Sequence, residues 1–411
     1  MLESPMHTDL PAPLAARGLL TIFGSTFLEL VGYFMLTPWL VLRLSERGAG
    51  PAVVGLFAAS AWIGILLVTP LASALTQRLG RRRALALSAA VPALAGLGYA
   101  LPWQGTATLA LWFALKLVAG MASGLRWVLA ESIVAECSPL ARRGRYVGLF
   151  ETMVGVTFVL GPLLLAAVGP SSEAALVLSV ALLTGGWLGS LALPALPEPH
   201  AGEAGHALGW RGVRQALRAH PVIMAAGFCG GFFESGLTSI LPLYGLALGL
   251  GAAAAALLVS ASGLGSAVLM LPAGLAADWL GRRPARRGGA GGARLFLMRL
   301  AAAATLLATL VIPWVADTPW LAWPVAFLWG GAGGTLYTLA MIDIGARERG
   351  VALVNATAVL VLAYTLGGVL APSLAGAALQ WAPRAGFPAL LLAVALACLV
   401  LLARARAGGR V

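Results

Sequence analysis

The chain has almost no lysine. Lys116 is the single one, so arginine carries nearly all of the positive charge. Charged residues make up 10% of the 411 residues, hydrophobic residues 60%, and the mean hydropathy is +0.91. No soluble domain of this length hides so much apolar surface, so the composition indicates a chain that crosses a membrane many times. Cysteine is scarce as well. Cys137, Cys229 and Cys398 are far apart, and two lie inside apolar runs, which excludes a disulfide framework and a cysteine metal site. There is no nucleotide loop, no metal cluster and no nucleophile constellation, so neither an enzyme nor a cofactor is expected. The net charge of +12 suits a nucleic-acid partner at first sight. The basic residues are mostly arginines between apolar runs, where membrane topology accounts for them. Residues 1–17 lack a basic n-region and a cleavage site, carry Pro5, Pro11 and Pro13, and read as a tail and not a signal peptide.

What is present is apolar sequence in span-sized pieces. At roughly 20 residues per span, the chain holds about twelve and little else. The runs fall at about 18–42, 51–75, 84–103, 106–135, 146–169, 173–194, 220–247, 252–277, 295–316, 320–344, 351–380 and 385–403. Alternate loops differ sharply in arginine. One set contains Arg78, Arg81, Arg82, Arg83, then Arg142, Arg143, Arg145, then Arg282, Arg283, Arg286 and Arg287; the other set contains only Arg43, Arg47 and Arg384. This bias places both termini in the cytoplasm of a multi-pass protein of the inner membrane. The long polar interruption divides the chain into 1–195, a cytoplasmic linker at 196–219, and 220–411. Arg211, Arg214 and Arg218 in the linker share a helical face, which suits either an amphipathic helix on the membrane or a solvated basic segment.

Two features recur about 200 residues apart. Ser73-Ala74-Leu75-Thr76-Gln77-Arg78-Leu79-Gly80-Arg81-Arg82 has the layout of Gly274-Leu275-Ala276-Ala277-Asp278-Trp279-Leu280-Gly281-Arg282-Arg283. Gly80 and Gly281 are placed to reverse the backbone sharply. Arg143-Gly144 precedes Gly161-Pro162 at the same spacing as Arg349-Gly350 precedes Gly367-Gly368. The chain therefore reads as two related halves.

Ionisable residues inside spans are costly, by about 2.5–3.5 kcal/mol or more at mid-bilayer, and usually face a cavity or a partner. Six qualify: Glu29, Lys116, Arg126, Glu131, Glu151 and Glu234. Glu29 shares its face of the first span with Ser25, Thr26, Gly32, Tyr33 and Thr37; Glu234 shares its face of the seventh with Gly230, Gly231 and Thr238. Pro38 and Pro242 follow them at similar spacing, so each half places one carboxyl at similar depth on its first helix. Such a pair suits proton exchange or a cationic substrate, and equally a structural role bonded to neighbouring hydroxyls. Lys116 lies in the outer part of the fourth span and either faces the interior or snorkels outward. Arg126 and Glu131 differ by roughly 140° around their helix and are not a pair by default. Glu131 and Glu151 lie at similar depth, where Arg126 or a loop arginine is expected to bridge them, in a substrate site or in a gate network.

The turn copies resemble the loop signature of the major facilitator superfamily. The second keeps Gly274, Asp278, Gly281, Arg282 and Arg283; the first keeps Arg78, Gly80, Arg81 and Arg82 but has Ser73 and Gln77 where Gly and Asp are usual. Lys116-Leu117-Val118-Ala119-Gly120 resembles that family's fourth-helix motif with Lys for Arg, which implies a part in proton coupling. Gly148, Gly155 and Gly161-Pro162 partly resemble its antiporter motif. Arg126-Trp127 through Glu131-Ser132 looks like a subgroup of drug or metabolite exporters. The resemblance implies an all-α membrane protein of twelve transmembrane helices in two six-helix halves. It implies a substrate site between them near the midplane, and a gating role for the turn residues. The expected protein is a monomeric secondary transporter in the lipid bilayer, moving a small organic solute by proton-coupled efflux. Uptake by symport and a non-transporting sensor or scaffold of the same fold are the rivals.

Orientation has a direct check. With both termini inside, cysteines introduced at Gln104 and Gly249 react with an impermeant maleimide added to intact cells, and one at Glu203 does not; external labelling at 203 refutes the assignment.

Overall fold

The computed structural model describes residues 11–138, 143–196, 221–281, 289–315, 317–347, 350–382 and 386–405. The expected linker, apart from Leu196, lies outside the described residues, as do Arg282 and Arg283 and the side chains of Gln77, Glu151 and Asp278. The described residues are helical, with no strand.

The first half contains α1 (Ala12–Glu46), α2 (Pro51–Val68) continued through a 3-10 turn into α3 (Ala72–Leu79), α4 (Arg81–Tyr99), α5 (Thr106–Cys137), α6 (Arg143–Val168) and α7 (Glu173–Ser190). The second contains α8 (Pro221–Gly230), a π-helical segment Gly231–Gly236, α9 (Leu241–Ala247), α10 (Ala252–Gly281), α11 (Gly289–Leu310), the short α12 (Ile312–Val315), α13 (Ala322–Arg347), α14 (Gly350–Trp381) and α15 (Gly386–Arg404). Among the described residues nine helices are long and apolar enough to cross a membrane, and α8 with α9 forms a tenth, broken crossing. Helices α4 and α6 complete the twelve; α4 opens on Arg81-Arg82-Arg83, and the apolar part of α6 is the shorter Thr152–Val168.

Composition does not reveal the break in the seventh span. The chain bends by 60° between Gly236 and Leu241. Gly230, Gly231 and Gly236 weaken the helix there, and Pro242 has no N–H to return to the carbonyl of Thr238. Hydroxyls cover the disturbed turn: Thr238 Oγ1 donates to the Ser235 carbonyl at 2.6 Å. The equivalent Pro38 lies inside an unbroken α1.

The two turn copies also differ. Gly80 has φ +75° and ψ 148°, a conformation open to glycine alone, because a single residue separates α3 from α4. Gly281 does not make the expected reversal: it is the last residue of α10 and has no positive φ. Seven residues, 282–288, separate it from α11, so no single residue has to turn the chain.

The halves meet through α2 with α14, α6 with α10, and α1 with α9. Gly55 lies against the backbone of Pro372 and Gly376, and Ala52 N donates to Gln380 Oε1 at 3.0 Å. Phe158 rests on Gly263, and Ser260 Oγ donates to the Val159 carbonyl at 2.9 Å. These contacts lie toward the end where α2 starts and α14 stops, far from both termini. The apolar core follows the same division. One cluster, with Met35, Trp39, Phe57, Phe232 and Trp329, spans both halves. Two others, around Ile133 and around Leu339, each stay within one half, toward the end bearing the termini. Among the described residues the halves therefore share an apolar core at the far end and keep separate apolar cores at the near end.

Gly80→Ala is expected to lower stability by about 1–3 kcal/mol, since alanine is strained at that φ and ψ. Gly281→Ala, in a helical position, is expected to be neutral or to stabilise by up to about 1 kcal/mol. Melting of the purified protein in detergent checks both; equal melting temperatures for the two variants would contradict this account of the turns.

Candidate functional site

The stripe on α1 faces inward as its spacing predicts. Ser25, Thr26, Glu29, Gly32 and Thr37 are buried, and Tyr33 is partly so. Helix α5 lies alongside. Arg126 Nε pairs with Glu29 Oε2, and Arg126 Nη2 donates to Ser25 Oγ at 3.2 Å. Arg126 is thus engaged by α1; the other expected bridge between Glu131 and Glu151, the side chain of a loop arginine, lies outside the described residues, as does the Glu151 side chain. A guanidinium deep in the bundle is best satisfied by a carboxylate at equal depth, and Glu29 supplies it. Helix α7 makes room for the pair: a Cβ at Gly186 would stand 2.9 Å from Glu29 Cβ.

Lys116 lies further along the same groove, toward the far end. Its Nζ donates to Thr37 Oγ1 at 3.1 Å and sits 5.0 Å from the ring centre of Tyr33 and 5.9 Å from that of Phe57. It is 3% exposed, so it does not snorkel. Ring faces favour the ammonium electrostatically. Glu131 is exposed near the other end of α5. The structure thus joins Glu29 with Arg126, and Lys116 with Tyr33, as two clusters on one face of α1, and leaves Glu131 apart.

In the second half Glu234 sits in the π-helical segment, 7% exposed. No arginine or lysine pairs with it among the described residues. Ser266 Oγ of α10 donates to its Oε1 at 2.8 Å and Tyr364 of α14 donates to its Oε2 at 3.0 Å. The Tyr364 hydroxyl also bonds the Ser235 hydroxyl, and Ser266 Oγ also reaches the Gly330 carbonyl at 3.0 Å. Gly333 and Gly334 on α13 leave space for the carboxylate: a Cβ at Gly334 would stand 2.9 Å from Oε1. Of the six residues singled out on the spans, Glu29 and Glu234 occupy matching places and have unlike partners.

Ser266 and Tyr364 escape a reading of the sequence, because neither is charged and neither belongs to a recurring motif. The available signals were slight: Ser266 closes Gly263-Leu264-Gly265-Ser266, and Tyr364 lies three residues before Gly367-Gly368. Of the turn residues, Arg81 is buried, Arg82 Nη2 donates to the Leu191 carbonyl at 3.2 Å, and Gly274 is half-buried with its neighbour Ile342 in contact range. Asp343, at the near end of α13, pairs with Arg294 at 2.7 Å.

The sequence profile of the Major Facilitator Superfamily matches residues 22–355, well over half of the chain. An uncharacterized MFS-type transporter of Yersinia pseudotuberculosis is 26% identical over 368 residues, covering 89% of this chain and 90% of the relative. YfkF of Bacillus subtilis, also an uncharacterized MFS-type transporter, is 27% identical over 250 residues, covering 61% of this chain and 63% of the relative. The crystal structure of the nucleoside transporter NupG superposes with a TM-score of 0.71 at 14% identity, over 95% of this chain and 97% of that one.

The buried pair predicts a pattern of stabilities. Arg126→Gln strands the Glu29 carboxylate and is expected to destabilise the protein by about 3–5 kcal/mol. Adding Glu29→Gln to Arg126→Gln removes the stranded charge and is expected to restore part of the loss. Thermal melts of the two single variants and the double variant measure the coupling; simple additivity would mean the pair contributes nothing.

Proposed function

The chain belongs to the major facilitator superfamily, and on that premise we propose that it exports a small organic solute across the cytoplasmic membrane by alternating access, driven by protons. The observation that carries the proton is the setting of Glu234. Its partners are hydroxyls, and a hydroxyl can donate to a carboxylate or accept from a carboxylic acid. Glu234 therefore stays bonded in either charge state. Glu29 differs, because Arg126 only donates and the pair is complete only while Glu29 is ionised. We assign Glu234 to proton exchange and the Glu29–Arg126 pair to the substrate side of the cavity, with Lys116 and Tyr33 farther up the same wall.

With the termini in the cytoplasm, the shared core at the far end and the separate cores at the near end support an inward-facing state. The solute binds between the halves near the midplane, and the far-end contacts between α2 and α14 part as the chain turns outward. Glu131 and Glu151, together with the turn residues Gly274, Asp278, Gly281, Arg282 and Arg283 and their counterparts Gly80 and Arg81, are assigned to closing the near end in that opposite state. Export is favoured by the antiporter-like glycines of α6. Uptake uses the same machinery with the flux reversed.

A thermal-shift screen of drug-like, sugar and carboxylate compounds identifies the solute. In proteoliposomes Glu234→Gln is then expected to bind it and to support counterflow exchange, while transport driven by a pH gradient falls to background. Full gradient-driven transport by Glu234→Gln refutes the assignment of the proton. Net accumulation with the gradient reversed identifies uptake.

A further inference from the structure

Tyr364 touches two things at once. Its hydroxyl donates to Glu234 Oε2, and its ring lies 6.4 Å from the ring of Trp62, edge to face at 66°. Trp62 belongs to α2, in the other half. One turn further along α14 the same indole rests on Gly368, where a Cβ would come within 2.7 Å of the ring. The adjacent Gly367 faces the opposite way, against the Phe232 backbone of the seventh span. The glycine pair that recurs as Gly161-Pro162 in the first half thus lets α14 press on its own half with one residue and on the other half with the next. Beyond it, the same helix pair makes the far-end seal at Gly55–Gly376 and Ala52–Gln380.

We propose that Tyr364 is a positioning residue that ties the charge state of Glu234 to the α2–α14 seal through Trp62. This rests on the assignment of the proton to Glu234 and extends it. In the charged state Glu234 Oε2 accepts the Tyr364 proton and holds the ring against Trp62, and the far end stays shut. A proton on Glu234 weakens that acceptor. The new O–H is taken up by Ser266 or by the Gly330 carbonyl beside it, Tyr364 is released, and the seal can part. Only the proton-loaded protein is then free to turn, which is what coupling requires when no solute is bound.

The groups around Glu234 leave Tyr364 as the link. Helix α14 contributes Tyr364 itself. Helix α13 contributes Tyr337, packed on Tyr364 with ring centres 4.8 Å apart. Helix α10 contributes the Ser266 hydroxyl. Asp343 lies nine residues beyond Gly334 on α13, about 13 Å along the axis, and is engaged by Arg294. No charged side chain other than Glu234 faces this point among the described residues.

The test needs no solute. Spin labels at Gln104→Cys and Trp381→Cys, both exposed at the far end and in opposite halves, report the opening by double electron–electron resonance in nanodiscs. The native cysteines are replaced by alanine. The parent is expected to populate longer distances at pH 5 than at pH 9. Glu234→Gln is expected to lose this pH dependence. Tyr364→Phe keeps the ring and its packing but lacks the donor, and is expected to lose the dependence as well. Trp62→Leu, which removes the other end of the link, is a second variant with the same expected loss, should Tyr364→Phe melt too low to measure. If Tyr364→Phe and Trp62→Leu retain the parent's pH-dependent shift while Glu234→Gln loses it, the link is overturned and the proton assignment stands. If Glu234→Gln retains the shift, both fall. A parent whose distances do not change with pH also overturns the link.

Discussion

A polar group halfway along a membrane helix has no water to turn to, so its hydrogen bonds must be made inside the protein. Hydroxyls solve this locally. Ser60, Thr157, Ser179, Thr305 and Thr309 each donate to a carbonyl three or four residues earlier in their own helix. A carboxylate has no such option, because it needs donors and the helix backbone at its level offers only carbonyls already in use. Glu29 and Glu234 are therefore answered from other helices, and the answers fix which helices adjoin. Arg126 draws α5 against α1, while Ser266 and Tyr364 draw α10 and α14 against the π-helical segment. Glycines follow from the same requirement, since Gly186, Gly333 and Gly334 stand where a side chain would displace a carboxylate.

The two halves meet this requirement with opposite chemistry. The guanidinium beside Glu29 gives a strong, one-sided bond and an unbroken helix. The hydroxyls beside Glu234 give weaker bonds that survive a change of charge, in a helix whose ladder is already disturbed by a π turn and a break. π turns are frequent at functional sites, and here one coincides with the residue whose bonding is the most adaptable. The first half thus answers its buried acid with a charge and the second answers its own with hydroxyls.

Much of this was legible in the residue order. Span positions, the internal repeat, and the inward stripe of Ser25, Glu29, Tyr33 and Thr37 all follow from local pattern, because hydropathy and helical spacing act within a few turns. The partner of Arg126 was not legible. Its nearest acid in sequence is Glu131, and the residue it binds is 97 positions away, a distance that only the packing of α1 on α5 can close. Tyr364 and Ser266 were hidden for a related reason: an uncharged hydroxyl inside a span is ordinarily bonded to its own helix, and nothing in the sequence marks those that are not. Gly281 resembles Gly80 in its sequence surroundings but ends a helix, because the length of the following loop decides whether one glycine must carry the whole reversal.

The Glu29–Arg126 pair also bears on how the protein is made. The chain emerges from the ribosome N-terminus first, and Arg126 follows Glu29 by 97 residues. At roughly 5–20 residues per second, that is a delay of about 5–20 s. During it α1 must reside in or beside the lipid with its acid unmet, at an insertion cost of about 2.5–3.5 kcal/mol for an ionised group at the centre of a span. The first helix thus waits on the fourth. Its final seat in the bilayer is set when α5 arrives, which makes membrane integration of this half an assembly step and not a succession of independent insertions.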